Sequence, residues 1–404
     1  MSMCLHKAGN KVLNDLNQVR RLIGINKGLN WLDSPGCWWM GVAGWDAGRA
    51  GQELDKMKSW GCNILRIVEA NTNWSENIVD ENGVHHQDMV AQLVQLMAQK
   101  GMYLMISSYC DVWNSHSGGG QGQTRGPYPP YNNRPDLIPS IQAWIDIYAD
   151  MANKLKGFDN VLIEAHNEPE CGSASEWLGN VQLWVNAIRA TGFTGILVYQ
   201  WQMAVFSNLD YGGNGATLGW FFDYPINDPL NNCIPSTHQY RDNGHCGQRQ
   251  SAPGGNAYTY DDIKLAFQYE RLYDVAAVSP LMIGECGCDV QSPVLSTELE
   301  GWRNQLKLYR EMGDGVFYLA WWWRQIWKYP LITSDSNPVP TQGGQIFIDN
   351  DPGGGGSITV PLTILSNVEV PVTLDGIGVG ATPVTAYITS GVQHTVSVPP
   401  EVDV

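Results

Sequence analysis

Two hydrophobic patterns take turns along this chain. Short unbroken runs of apolar, often β-branched residues are followed by polar loops, and then by apolar residues spaced three and four apart. RLIGIN (21–26) precedes AGQELDKMKSWG (50–61), in which Leu54, Met57 and Trp60 share one helical face. NILRIVE (63–69) precedes HQDMVAQLVQLMAQKG (86–101), with a glycine as its stop signal. MYLMISS (102–108) precedes IPSIQAWIDIYADMANKLKG (138–157), where Ser140 has the chemistry of an N-cap. NVLIEAH (160–166) precedes SEWLGNVQLWVNAIRATG (175–192). GILVYQW (195–201), CIPSTHQY (233–240), PLMIGEC (280–286) and GVFYLAW (315–321) follow, with helices around 261–275 and 296–312 between the last three.

Unbroken apolar strands alternating with helices imply a parallel sheet covered on both faces. Eight such units in about 300 residues fit a (β/α)8 TIM barrel. An open doubly wound sheet is the alternative, and the absence of a GxGxxG spacing in GLNWL argues against it. The link after residue 201 shows little helical period, and no helix is expected after the eighth strand. The predicted domains are a barrel over 1–335, a Gly/Pro/Asp-rich connector over 336–357, and a small all-β, sandwich-like domain over 358–404.

Composition narrows the partners. The net charge of −16 opposes nucleic acid and anionic membranes, and no apolar run reaches the length of a membrane span. Seventeen Trp and 17 Tyr against 8 Phe favour aromatics with a polar edge, which suit sugar-binding surfaces. Most of those Trp are nevertheless expected in the core. The opening MSMCLHKAGN has no apolar export signal, so the chain is intracellular or a mature secreted form; secretion is the expectation. Of the nine Cys, Cys233 and Cys246 bracket one loop and could be bridged in an oxidising compartment. His85 and His86 read as a solvated loop rather than a metal pair, and no metal or cofactor is expected.

In a barrel, chemistry gathers at the C-terminal strand ends. Those ends carry Asn26 and Asn30, Arg66 and Glu69, Tyr109, Asp111 and Trp113, Asn167 and Glu168, Trp201, His238 and Tyr240, Glu285, and Trp321 to Trp323. Glu168 and Glu285 stand on strands four and seven and face one another across such a barrel. Paired carboxyls with aromatic neighbours are what glycoside hydrolysis requires: one protonated to release the leaving oxygen, the other ionised to attack. Glu164 and Glu170 are the nearest rivals to Glu168 and are expected to be bystanders. Arg66 has a structural alternative, an ion pair with Glu69.

The motifs NEP (167–169), HQY (238–240), GEC (284–286) and the Trp cluster 321–323 resemble those of the retaining endoglycanases of glycoside hydrolase family five. LHKAGNKVLNDLNQVRRLIGIN (5–26) is similar to that family's opening hairpin and first strand, and the resemblance extends over about residues 5–330. It implies Glu168 as acid/base, Glu285 as nucleophile, and Asn167 on the 2-hydroxyl of the reacting sugar. It also implies Arg66 beneath the nucleophile, lowering its pKa; Tyr240 donating to it; His238 beside the acid; and Trp321, or Trp323 on the same side of the strand, as sugar platform. At strand three many members carry a His, whereas SSYCDVW (107–113) places Asp111 and Trp113 there, similar to some mannan-cleaving relatives. The expected substrate is thus a β-1,4-linked polysaccharide, glucan or mannan, cut by a monomer. A barrel that only binds polysaccharide is the other class of function, and the presence of both carboxylates argues against it. Residues 370–399 resemble small β modules of the PEGA type, which implies a structural or docking role for the tail.

Overall fold

The computed structural model describes residues 3–28, 45–80, 82–109, 126–130, 132, 135–169, 171–201, 217–240, 258–323, 329–334 and 338–350, with strand backbone between 359 and 397. Its contacts divide into two compact units, Met1–Gly353 and Gly354–Val404. In the first, the hairpin β1 (Leu5–Ala8) and β2 (Lys11–Asn14) is followed by β3 (Ile23–Lys27), α1 (Ala47–Ser59), β4 (Ile64–Ala70), α2 (Asn71–Glu76), α3 (His86–Gln99) and β5 (Tyr103–Tyr109). Next come α4 (Ile141–Leu155), β6 (Val161–Glu164), α5 (Ala174–Ala190), β7 (Leu197–Tyr199), α6 (Gly219–Asp223) and β8 (Cys233–Tyr240). The unit ends with α7 (Tyr260–Tyr269), α8 (Leu272–Val278), β9 (Leu281–Gly287), α9 (Leu295–Glu311), β10 (Val316–Ala320) and α10 (Gln342–Asp349).

Strands β3 to β10 close into a parallel barrel in sequence order, with β10 pairing β3. This is the (β/α)8 architecture expected of the alternating pattern. Alternate strand positions divide the apolar residues into two layers. Leu22, Ile64, Met105, Leu162, Val198, Ile234, Met282, Phe317 and Leu319 form one cluster together with Leu5 and Val12 of the hairpin. Their neighbours, among them Ile23, Leu65, Leu104, Ile163, Leu197 and Ile283, pack in the cluster that includes the helices. Ser140 caps α4 by accepting from the Ala143 N–H, and Gly101 ends α3 at φ +69°, a conformation that favours glycine.

Three expectations fail here. The helix around 261–275 is two helices, broken at Arg271, whose φ is +64°. A helix, α10, does follow the eighth strand, inside the segment read as a connector. Its Ile346 and Phe347 are buried and its Gly343 carbonyl accepts from Trp302 Nε1 of α9. The glycines that suggested a loop are close-packing residues: a Cβ on Gly344 would lie 2.1 Å from the Leu331 carbonyl oxygen. Cys233 is a buried free thiol rather than half of a disulfide. It opens β8, whereas Cys246 follows that strand's other end, so a bridge would require the five intervening residues to run back almost fully extended. Cys246 itself lies outside the described residues.

In the second unit, β11 (Thr359–Ile364) pairs antiparallel with β14 (Val384–Thr389). There β12 (Pro371–Leu374) lies between β13 (Ile377–Ala381) and β15 (Val396–Ser397). Among the described residues no helix is long and apolar enough to cross a membrane.

Candidate active site

Arg66 is the hub. It sits two residues beyond Ile64 on β4 and is fully buried inside the barrel. Its Nε donates to Glu164 Oε2 at 2.7 Å; Nη1 donates to Asn26 Oδ1 and to Glu285 Oε1, both at 2.9 Å. Nη2 donates to Asn167 Oδ1 at 2.7 Å and Ser107 Oγ at 3.1 Å. A guanidinium has five N–H donors, so all are used, and they tie β3, β5, β6 and β9 to β4. Burial works against the Arg66 charge, yet Glu164 and Glu285 more than offset it and the pKa rises above its ordinary value.

Glu285, near the end of β9, also accepts from the Tyr240 hydroxyl on Oε2 at 2.8 Å. Burial pushes its carboxyl pKa up and the neighbouring Glu168 adds to this, against the downward pull of His238, Arg66 and Tyr240. Arg66 pulls this pKa down, as the resemblance implied, but desolvation outweighs the ion pair and the net position lies above the ordinary value. Burial and the Glu285 charge raise the Tyr240 pKa strongly, so its hydroxyl remains a neutral donor.

Glu168 follows β6 with φ +49°, an uncommon backbone state for a non-glycine residue, and Pro169 comes directly after it. Its Oε1 lies 2.7 Å from His238 Nδ1. Gln200 Nε2, an amide donor, is 3.5 Å from His238 Nε2. Nδ1 faces two carboxylates, Glu168 Oε1 at 2.7 Å and Glu285 Oε2 at 3.5 Å, so it carries the hydrogen that reaches Glu168. Glu168, His238 and Glu285 bring one ligand-type atom each to within 4.8 Å of one another. A cation there would have to displace the Nδ1 contact with Glu168, whereas a shared proton leaves the arrangement intact. One carboxyl oxygen of Glu168 thus lies within 4.8 Å of one of Glu285.

Trp321 follows β10, is nearly buried, and stacks on Trp322 with ring centroids 5.0 Å apart. Trp323 is not its equivalent. It packs edge-on against Trp60 at 4.8 Å in the layer between barrel and helices, because regular strand ends at Ala320 and alternation no longer applies beyond it. Trp201 also belongs to that layer, as do Leu197 and Tyr199 before it, and offers no sugar-facing surface. Asn30, Asp111, Trp113 and Glu170, and the side chains of Glu69 and Tyr109, lie outside the described residues. His85 is exposed at the start of α3, but His86 is fully buried and packs edge-on against Trp74, contrary to a solvated loop.

Two residues were missed. Glu164 is no bystander: fully buried, it holds Arg66 and accepts from Gln200 Nε2 at 3.0 Å. Gln200 also donates to the His166 carbonyl at 3.3 Å, next to the loop that carries Asn167 and Glu168. The signal was present in strand parity, since Leu162 and Val198 point into the barrel and residues two further on do the same.

A parallel barrel with two close carboxyls at its strand ends defines a class of protein, the glycoside hydrolases. Residues 24–325 match the family model Cellulase (glycosyl hydrolase family 5), and the chain belongs to that family. No curated protein sequence matches it. Among solved structures it is similar to the catalytic domain of the major endoglucanase of Xanthomonas campestris pv. campestris, with TM-score 0.64 and 15% identity over 87% of this chain and 99% of that one. A β-glucanase from Saccharophagus degradans gives TM-score 0.60 and 15% identity over 86% and 93%. A β-mannanase from Thermomonospora fusca gives 0.55 and 17% over 87% and 97%. Identities this low carry the fold alone.

Proposed function

We propose that the protein is a retaining, endo-acting glycoside hydrolase that cleaves β-1,4-linked polysaccharide, with β-glucan as the first candidate. The observation that carries this reading is the Glu168–His238–Glu285 cluster, whose groups meet within 4.8 Å, with Arg66 and Tyr240 both on Glu285. Glu168 gives its proton to the glycosidic oxygen while Glu285 attacks the anomeric carbon, forming a glycosyl ester. Glu168, now a carboxylate, then takes a proton from the incoming water, which displaces Glu285. Arg66 and Tyr240 hold the Glu285 oxygens in place, and His238 Nδ1–H steadies Glu168 as its charge changes. Asn167, its oxygen held by Arg66, turns its amide hydrogens toward the sugar 2-hydroxyl, and Trp321 supplies the stacking face.

A β-mannanase of the same mechanism is the second reading. The fold similarity to a mannanase and the Asp111–Trp113 pattern support it. Export follows from a polymeric substrate, and the protein acts as a monomer. Residues 354–404 serve as a PEGA-like module outside the chemistry. The test is azide rescue on an aryl glycoside with an acidic phenol. Glu168→Ala with azide is expected to yield the β-glycosyl azide, and Glu285→Ala with azide the α anomer. The reverse assignment of anomers would exchange the two roles, and full activity of both variants would refute the site.

A further inference from the structure

Glu285 points into the barrel against the parity of its strand. Met282 belongs to the interior cluster, and Ile283 and Cys286 to the outer one. Regular alternation would turn residue 285 outward with Ile283. The change of face comes from a bulge in β9 that both neighbouring strands record. On β8, Thr237 pairs with Ile283 but His238 with Glu285; on β10, Tyr318 pairs with Ile283 but Ala320 with Cys286. The extra residue is Gly284, where a Cβ would meet Ser236 Oγ at 2.9 Å and His238 Nε2 at 3.0 Å. A bulge leaves a backbone group out of the ladder, and that group must find another partner. The Gly284 carbonyl finds the side chain of Asn26, whose Nδ2 donates to it at 2.9 Å and to the Leu319 carbonyl of β10 at 3.2 Å. The Oδ1 of the same amide accepts from Arg66 at 2.9 Å.

We infer that Asn26 is the positioning residue of the nucleophile: it clamps the β9 bulge that turns Glu285 inward and sets it in register with Arg66. This rests on the proposed role of Glu285. Asn26 reaches no reacting atom in this scheme; it acts through Gly284 and Arg66. Its loss lets the bulge relax and misplaces the Glu285 carboxylate while the sugar-binding groups stay put, so the chemical step slows and KM does not change.

The experiment uses the full chain and an activated aryl 2-deoxy-2-fluoro-β-glycoside. Glu285 Oε attacks the anomeric carbon, the C1–O(aryl) bond breaks, and the phenolate leaves with its electron pair without a proton from Glu168. The ester on Glu285 persists and is located by peptide mass spectrometry. Asn26→Ala removes both functions of the amide. Asn26→Asp, close to it in size, keeps an oxygen for Arg66 and loses the N–H donors to Gly284 and Leu319. Both variants are expected to label Glu285 on the order of 100-fold more slowly than the wild type, the scale of a 1 Å misplacement, with KM for the polymer within about twofold. A wild-type labelling rate in Asn26→Asp would overturn the inference, because Asn26 would then matter only as an acceptor for Arg66. A parallel rise in KM would overturn it too, showing a general loosening of the site. Wild-type protein that is not labelled at Glu285 would refute the catalytic reading and this inference with it.

Discussion

Glu164→Gln removes one of the two carboxylates that share Arg66 while keeping the side chain's size. In the native protein Glu164 Oε2 takes the Arg66 Nε hydrogen at 2.7 Å and Glu285 Oε1 takes an Nη1 hydrogen at 2.9 Å. A guanidinium that bonds both sets those oxygens roughly 6 Å apart, and at an effective dielectric near 20 their repulsion is about 3 kcal/mol, or about two pK units. Neutralising residue 164 leaves the whole Arg66 charge to Glu285. The Glu285 carboxyl, held above its ordinary range by burial first and by Glu168 second, then moves down. A nucleophile works ionised, so the acid limb of kcat/KM shifts to lower pH, by up to about two units. The assay is a pH profile on an aryl glycoside with an acidic phenol, whose departure needs no proton from Glu168. The substitution also costs stability. The new amide nitrogen meets Gln200 Nε2, a donor, where Glu164 Oε1 accepted at 3.0 Å. A buried donor left facing a donor costs about 1–3 kcal/mol, visible as a lower Tm. An acid limb that stays put or moves up in folded Glu164→Gln would refute the idea that two carboxylates compete for one guanidinium.

Two further outcomes follow from the same geometry. Folding raises the Glu285 pKa above its ordinary 4.5, so the folded state holds that proton more tightly and loses stability as pH rises through the window above 4.5. Glu285→Gln should therefore melt at a higher Tm than wild type near neutral pH, with the advantage gone below about pH 4; equal Tm differences at both pH values would count against it. The two Trp separate by function: Trp321→Ala should raise the polymer KM of folded enzyme as well as lowering Tm, while Trp323→Ala should lose about 3–5 kcal/mol of stability and leave the KM of folded enzyme alone. Titration and melting curves on both variants check this, and a KM rise in Trp323→Ala would return that ring to the substrate site.

Periodicity alone determined the architecture. All eight strands and most of their helices lie where the apolar runs place them, because a strand buried on both faces and an amphipathic helix leave different spacings in the chain. Glu168, Glu285, Arg66, His238 and Tyr240 stood out for a related reason: polar groups that interrupt apolar strands at their C-terminal ends carry a burial cost that calls for partners. Parity could have added Glu164 and Gln200, and removed Trp201, without any structure. What pattern could not supply was each place where the parity breaks. The β9 bulge turns Glu285 inward, and the end of β10 sends Trp323 into the helix layer while Trp321 stays at the site. Nor could composition distinguish α10 from a linker, since Gly343 answers to close packing beside Val290 and Gly344 to close packing beside Leu331 rather than to flexibility. These outcomes depend on hydrogen bonds and contacts between residues far apart in sequence, such as Asn26 with Gly284, and such partners meet only once the barrel has closed.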